Sequence, residues 1–347
     1  MAKNTATHTQ ETIGCDLGDK KSEICVLDAD GKVKQRASAR TTRKSLGEWF
    51  NRAPAHVVIE VGTHSRWVSN VLRELGHRVT VANPRRVKLI SASDSKTDRH
   101  DAELLAPVVH RGPQVQADLA VAKARDVLVS TRTKLVNHVR GTVKGTGERL
   151  PTCSAASFAA KTRELVPTIL KAALQPIYEA LERINEQIDE QDKMIERVAK
   201  KYPDVEVVSQ IAGVGTLTAL VFILSIEDKS RFSKSRMVGA FLGLRTRKSA
   251  SGNDDPQLRI TKAGDPFVRR LLVTAANYIL GPFGRDSDLR RWGLALAQRG
   301  GKNAKKRAKV AVARKLAVLM HRLWVTGEIY EPLGYNEREL EGKRQAA

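Results

Sequence analysis

Lys96-Thr97-Asp98-Arg99-His100-Asp101-Ala102-Glu103 is a dense polar run, and Leu104-Leu105-Ala106 follows at once. If this run enters a helix, Asp98 and Asp101 stand three residues apart and share one face, roughly 5–6 Å apart at Cβ. Two carboxylates that close repel, so the pair needs a cation between them or a raised pKa on one member. A hard divalent ion with oxygen ligands, such as Mg²⁺, suits the pair. The plain alternative is a solvated helix start, with Asp98 as N-cap and Asp101 as a favourable first-turn charge. What lies upstream decides between them.

The elements that would position such a site come earlier in the chain. Residues 12–18 read as a short buried strand ending on Asp16, and residues 23–28 as a second strand. Asp30-Gly31 is a hairpin signal, and residues 33–39 form a third strand. A short helix over 41–51 leads to a fourth strand over 56–62, apolar until Glu60. A helix over 65–75 closes on Gly76, and a fifth strand over 78–83 stops at Pro84. Three hairpin-linked strands followed by helix, strand, helix and strand describe a ribonuclease H-like sheet. In that fold the first and fourth strands are neighbours, so Asp16 and Glu60 should meet at one edge. With Asp98 and Asp101 they would make a four-carboxylate site for one or two metal ions, suited to phosphoryl transfer. Taken singly, Asp16 reads equally as a turn residue and Glu60 as a capping acid. Their joint occurrence in this strand order favours the metal site.

The chain has 347 residues, with 60 lysines and arginines against 38 acids and a formal net charge of +22. That length suits two or three domains, and that charge recruits polyanions, nucleic acid first among them. No apolar run approaches the roughly 18 residues a bilayer-spanning helix needs, so no membrane partner is expected. Residues 1–10 read as a disordered leader without a signal peptide's apolar segment, and 336–347 as a tail. Cys15, Cys25 and Cys153 show no metal spacing and suit reduced thiols in a cytoplasm.

Residues 104–150 read as basic helices that complete an N-terminal domain over 11–150. Residues 151–203 read as a helical linker and coiled coil: Ile177, Leu181, Ile184, Ile188, Ile195 and Val198 step by 4, 3, 4, 7 and 3 from Pro176 onward. The alternative is an amphipathic helix lying on its own domain. A mainly helical domain over 204–335 follows. Residues 211–219, rich in glycine, resemble the hairpin of a helix-hairpin-helix module. Ser251-Gly252 lies in a polar loop flanked by cations, and taken alone it reads as a turn. Between 289 and 327 there are eleven lysines and arginines and no acid. Gly300-Gly301-Lys302 opening a lysine-rich helix start makes a phosphate-backbone site. Its spacing is not that of a nucleotide P-loop. Arg247, Lys248, Lys262, Lys302, Lys305, Lys306 and Arg307 are the expected nucleic-acid contacts.

Together these strings resemble the DEDD transposases of bacterial insertion sequences, relatives of the pilin-gene inversion recombinases. The resemblance runs from about residue 11 to 335. It is carried by Ile13-Gly14-Cys15-Asp16, Ile59-Glu60-Val61-Gly62 and the 96–103 run in the first half. In the second half it is carried by Ser251-Gly252, residues 257–265, and Gly301-Lys302 through Arg314-Lys315-Leu316-Ala317. The sequence departs from many members in Glu60-Val61-Gly62-Thr63-His64 and in lacking a proline in Arg245-Thr246-Arg247.

The resemblance implies an α/β plus α architecture. Its parts are a RuvC-like RNase H-fold domain, a central coiled coil and a mainly helical transposase domain. It implies an acidic tetrad of Asp16, Glu60, Asp98 and Asp101 holding one or two Mg²⁺ ions, with Ser251 as the nucleophile and Ser249 a lesser candidate. It implies donor and target double-stranded DNA as partners. A structured non-coding bridge RNA would pair with both, in the nucleoid of a bacterial cytoplasm. A tetrad and a serine on separate domains lead to the expectation of a site shared between subunits of a dimer or tetramer. The rival readings are a Holliday-junction-type nuclease that hydrolyses DNA without a covalent serine step, and a nucleic-acid-binding protein whose acids are structural.

Overall fold

Strict alternation of apolar and polar residues builds the first half. The computed structural model describes residues 11–28, 33–82, 112–247, 258–301 and 303–334. Five strands form one sheet in the order β3-β2-β1-β4-β5. They are β1 (Thr12–Leu17), β2 (Lys21–Leu27), β3 (Val33–Arg40), β4 (His56–Glu60) and β5 (Arg78–Ala82). β1 to β3 are antiparallel, while β4 pairs parallel with both β1 and β5. Ile13, Cys15, Ile24, Val26, Val57 and Ile59 all point to one face and are buried. A slip of one residue would turn all six outward, and at about 1.5–3 kcal/mol for each large apolar side chain this fixes the register. Two helices cover that face, α1 (Arg43–Trp49) and α2 (Ser65–Glu74), through Leu46, Val68 and Leu72. Thr42 caps α1 by accepting from the Ser45 amide at 3.2 Å, and Gly76 follows α2 at φ +86. The 30–31 turn lies outside the described residues.

The chain divides into two compact units, Met1–Pro113 and Gln114–Ala347. That boundary precedes the one near residue 150 expected from sequence. The reason is α3 (Pro113–Gly145), whose Leu119 and Ala122 are buried in the core of the second unit. A short helix, α4 (Phe158–Thr162), leads to α5 (Thr168–Ala199). α5 starts eight residues before Pro176 and runs through it, although proline cannot donate the interior backbone bond.

The apolar seam of α5 faces α3 of the same chain. Ile195 and Val198 share a core with Leu119 and Ala122, while Leu181, Tyr178 and Leu174 share one with Val136, Val139 and Val143. Numbering rises along one helix as it falls along the other, so the two are antiparallel. Arg125 grips Asp192 through Nε at 2.5 Å and Nη2 at 3.1 Å, and Arg132 Nη1 donates to Asn185 at 2.8 Å. At one end the buried Asp118 carboxylate accepts from Tyr202 Oη (2.8 Å), Lys201 Nζ (3.1 Å) and Gln114 Nε2 (3.2 Å). Desolvation pushes its pKa up, but these donors outweigh it and hold the carboxyl below the usual aspartate value.

The rest of the second unit packs around α7 (Thr216–Ile226), whose residues 219–226 are all buried. α6 (Asp204–Ser209) precedes it, and α8 (Arg236–Phe241), α9 (Pro266–Leu280), α10 (Asp288–Gln298) and α11 (Ala304–Thr326) follow. Leu272, Ala276, Val312, Leu316 and Leu323 close on α7 in one core. Among the described residues, no helix is long and apolar enough to cross a membrane.

Candidate active site

The uncovered face of the five-stranded sheet carries the acids. Cys15 of β1 lies opposite Ile59 of β4 in parallel register, so the next residues along, Asp16 and Glu60, leave the strands side by side. Both are exposed, because each follows an inward residue in a strict alternation. On the other flank Asp16 is the antiparallel partner of Glu23 on β2. Asp16, Glu23 and Glu60 border a shallow depression of about 490 Å³, with Gly14, Cys25 and Val58 among its lining. The absent side chain at Gly14 leaves the floor between the acids open.

Like charges on neighbouring strands destabilise a sheet unless a cation answers them. Glu23 has Lys21 at 3.2 Å, an exposed pair of small energetic weight. Glu23 was missed in the sequence because strand spacing reveals a residue's face but not its cross-strand partner. The β1–β2 turn length sets that register and was the available signal. Behind Asp16, Cys15 belongs to the covered face: burial first, and the Asp16 charge second, push its thiol up to about 12. It is a core residue, as its spacing predicts.

Asp98 and Asp101 lie outside the described residues, and so does Ser251. Among the described residues, no three or more histidines, cysteines, aspartates or glutamates come together in a metal-binding group. The carboxylates of Asp16 and Glu60 are hard oxygen donors, a set that fits Mg²⁺.

The stems on which the 248–257 segment is mounted are described. Thr246 and Ile260 form an antiparallel bridge. The Arg247 amide donates to the Arg259 carbonyl at 3.0 Å, and the Thr261 amide to the Arg245 carbonyl at 2.8 Å. Arg247 and Lys262 are both exposed on these stems. Gly243 (φ +70) and Gly264 (φ +77) adopt left-handed backbone where the two stems cross. A Cβ at Gly243 would run into the Ala263 backbone, and one at Gly264 into the Phe241 carbonyl.

Gly300 (φ +81) and Gly301 (φ +88) precede α11. Lys305, Lys306 and Arg307 are exposed in its first turn, with Arg307 Nη2 folded toward Gly301. Lys248 and Lys302 lie outside the described residues. Between α6 and α7 the chain turns through Gly213 (φ +94), which abuts the Tyr278 ring, and α7 starts after Gly215.

Residues 13–147 match the IS110 DEDD transposase family, and residues 205–284 match the transposase IS116/IS110/IS902 family. Asp16, Glu60, Asp98 and Asp101 fall in the first span, and Ser251 in the second. The transposase for insertion sequence element IS1111A of Coxiella burnetii is 31% identical over 344 residues, covering 92% of this chain and 90% of that protein. The chain belongs to the IS116/IS110/IS902 transposase family. A probable family 20 transposase of Pseudomonas aeruginosa is 26% identical, with 92% and 98% of the two chains covered. The transposase for insertion sequence element IS1328 of Yersinia enterocolitica is 27% identical, with 76% and 82% covered. As a member of this family the chain is a DEDD transposase of insertion sequences and an enzyme acting on DNA.

Proposed function

We propose that this transposase cleaves and rejoins donor and target DNA with Asp16, Glu60, Asp98 and Asp101 as an Mg²⁺-binding tetrad and Ser251 as nucleophile. The observation that carries the reading is the parallel pairing of β1 and β4, which sets Asp16 beside Glu60 in a 3-2-1-4-5 sheet. That strand order is the RNase H-like one, and it supports a RuvC-like first domain. One or two bound Mg²⁺ ions would supply Lewis acidity at the scissile phosphate and its two reacting oxygens.

The chain's own part is to hold and deliver. Asp16 and Glu60 present oxygens from two adjacent strands whose register is fixed by their buried neighbours. Ser251 Oγ attacks phosphorus, the phosphoserine bond forms as one deoxyribose–phosphate bond breaks, and the serine proton passes to solvent or the freed sugar hydroxyl. A hydroxyl of the other DNA then attacks the phosphoserine and returns the serine. No high-energy cofactor is required, because each broken phosphodiester is replaced.

A bridge RNA would read sequence by base pairing while the protein reads backbone and shape. The net charge of +22 and the exposed cations on α11 support that division. Lys305→Ala with Lys306→Ala is expected to weaken DNA and RNA binding alike. It should lower the slope of log affinity against log salt by roughly two; an unchanged slope would remove these lysines from the backbone contact.

The test of the reading is recombination of labelled donor and target DNA with the element's own RNA in Mg²⁺. Joined products that disappear on chelation support it. Cut ends that are never joined would point instead to the hydrolytic nuclease.

A further inference from the structure

A single guanidinium ties together the two chain segments from which the 248–257 loop springs. Arg269, on the first turn of α9, donates from Nη1 to the Ala263 carbonyl at 2.6 Å and the Leu242 carbonyl at 3.0 Å. The Gly264 carbonyl lies at 3.5 Å. One Nη carries two hydrogens, so the two shorter contacts are the bonds and the third is a weak sharer. Leu242 precedes the loop and Ala263 follows it, so the bonds cross from one segment to the other. Charge-assisted bonds of this kind are roughly twice as strong as neutral ones.

The crossing has no other side chain to adjust it. Gly243 and Gly264 bring backbone against backbone, and the Lys262 amide donates to the Gly243 carbonyl at 3.0 Å. Burial lowers the Arg269 pKa and the nearby Asp265 charge raises it. Asp265 caps α9 by accepting from the Phe267 amide at 2.9 Å and also meets Lys123 of α3 at 3.3 Å. Helix α9 is held independently by Phe267, Val268 and Leu272, all buried. Arg290 provides a contrast: it braces Ile279 and Gly281, two carbonyls at one helix end. Arg269 instead spans two separate segments.

We infer that Arg269 is a positioning residue for Ser251, fixing the relative placement of the 242–247 and 258–264 stems through the Leu242 and Ala263 carbonyls. The inference rests on the reading of Ser251 as nucleophile. A displacement of about 1 Å in a reacting group is enough to cost about 10²-fold in rate.

The test compares Arg269→Ala, Arg269→Lys, Ser251→Ala and wild type for covalent protein–DNA adduct formation at saturating DNA, for DNA affinity and for melting temperature. Arg269→Ala is expected to slow adduct formation about 10²-fold with DNA affinity retained, and guanidinium ion below the denaturing range should restore part of the rate. Arg269→Lys, which keeps the charge but not the forked geometry, should fall between. Adduct formation at the wild-type rate in a folded Arg269→Ala overturns the inference. So does a loss that tracks melting temperature and ignores guanidinium. Should Arg269→Ala not fold, a wild-type rate in Arg269→Lys overturns it instead. If Ser251→Ala still forms the adduct, the nucleophile reading itself has failed, which is a separate result.

Discussion

Replacing Asp16 with asparagine is expected to abolish strand cleavage while leaving the sheet intact. The side chain is exposed on the uncovered face and contributes nothing to the Ile13–Cys15 side of β1. Asparagine keeps its shape and removes one of three neighbouring negative charges, so stability should stay level or rise slightly. Catalysis loses a metal ligand, and a loss of 10³-fold or more, about 4 kcal/mol of barrier, is the expected scale. Glu60→Gln should behave alike, because it offers the neighbouring oxygen from β4. Cleavage of labelled duplex across an Mg²⁺ titration measures both. Cleavage within tenfold of wild type for either variant would remove that residue from the tetrad. A loss fully recovered at high Mg²⁺ would show weakened ion binding with the chemistry preserved.

Ser251→Ala is expected to eliminate the covalent protein–DNA adduct on a denaturing gel. The hydroxyl is the atom that bonds to phosphorus in the proposed step, and alanine has nothing to substitute for it. Loss of joined product should therefore be complete to the detection limit, with DNA binding unchanged. An adduct that persists in Ser251→Ala and vanishes in Ser249→Ala would transfer the role to the lesser candidate. Cut ends without adduct, indifferent to Ser251→Ala, would make the enzyme a hydrolytic nuclease. Mixing Ser251→Ala with Asp98→Ala subunits extends the experiment. Adduct restored in the mixture marks a site assembled from two subunits, and no restoration argues against one.

Local pattern carried most of the first unit. Alternation at Ile13, Cys15, Val57 and Ile59 made the strands readable, and the chain order of hairpins and crossover made β1 and β4 neighbours before any coordinates. Glu23 was not legible because its importance lies in a cross-strand pairing, which depends on turn geometry rather than residue type. The heptad spacing at Leu181, Ile188 and Ile195 revealed a buried stripe on α5. It could not name the partner, since α3 lies some fifty residues upstream and its own apolar positions are diluted by arginines and lysines. Pro176 read as a helix start because proline favours that place; tertiary packing of Leu174 and Tyr178 carried the helix through it instead. The crossing of stems beside Gly243 and Gly264 depends on contacts between segments some twenty residues apart, which composition does not record.

The antiparallel pairing of α3 and α5 also fixes a length. At 1.5 Å per residue, the 32 residues of α5 make a rod of about 48 Å. That is the rise of roughly fourteen base pairs of B-form DNA at 3.4 Å each. Ion pairs and apolar contacts brace the rod along its course, so it acts as a spacer of set span. Whatever meets its far end, where Leu165 and Ile169 stand exposed, is kept about that distance from the core around α7.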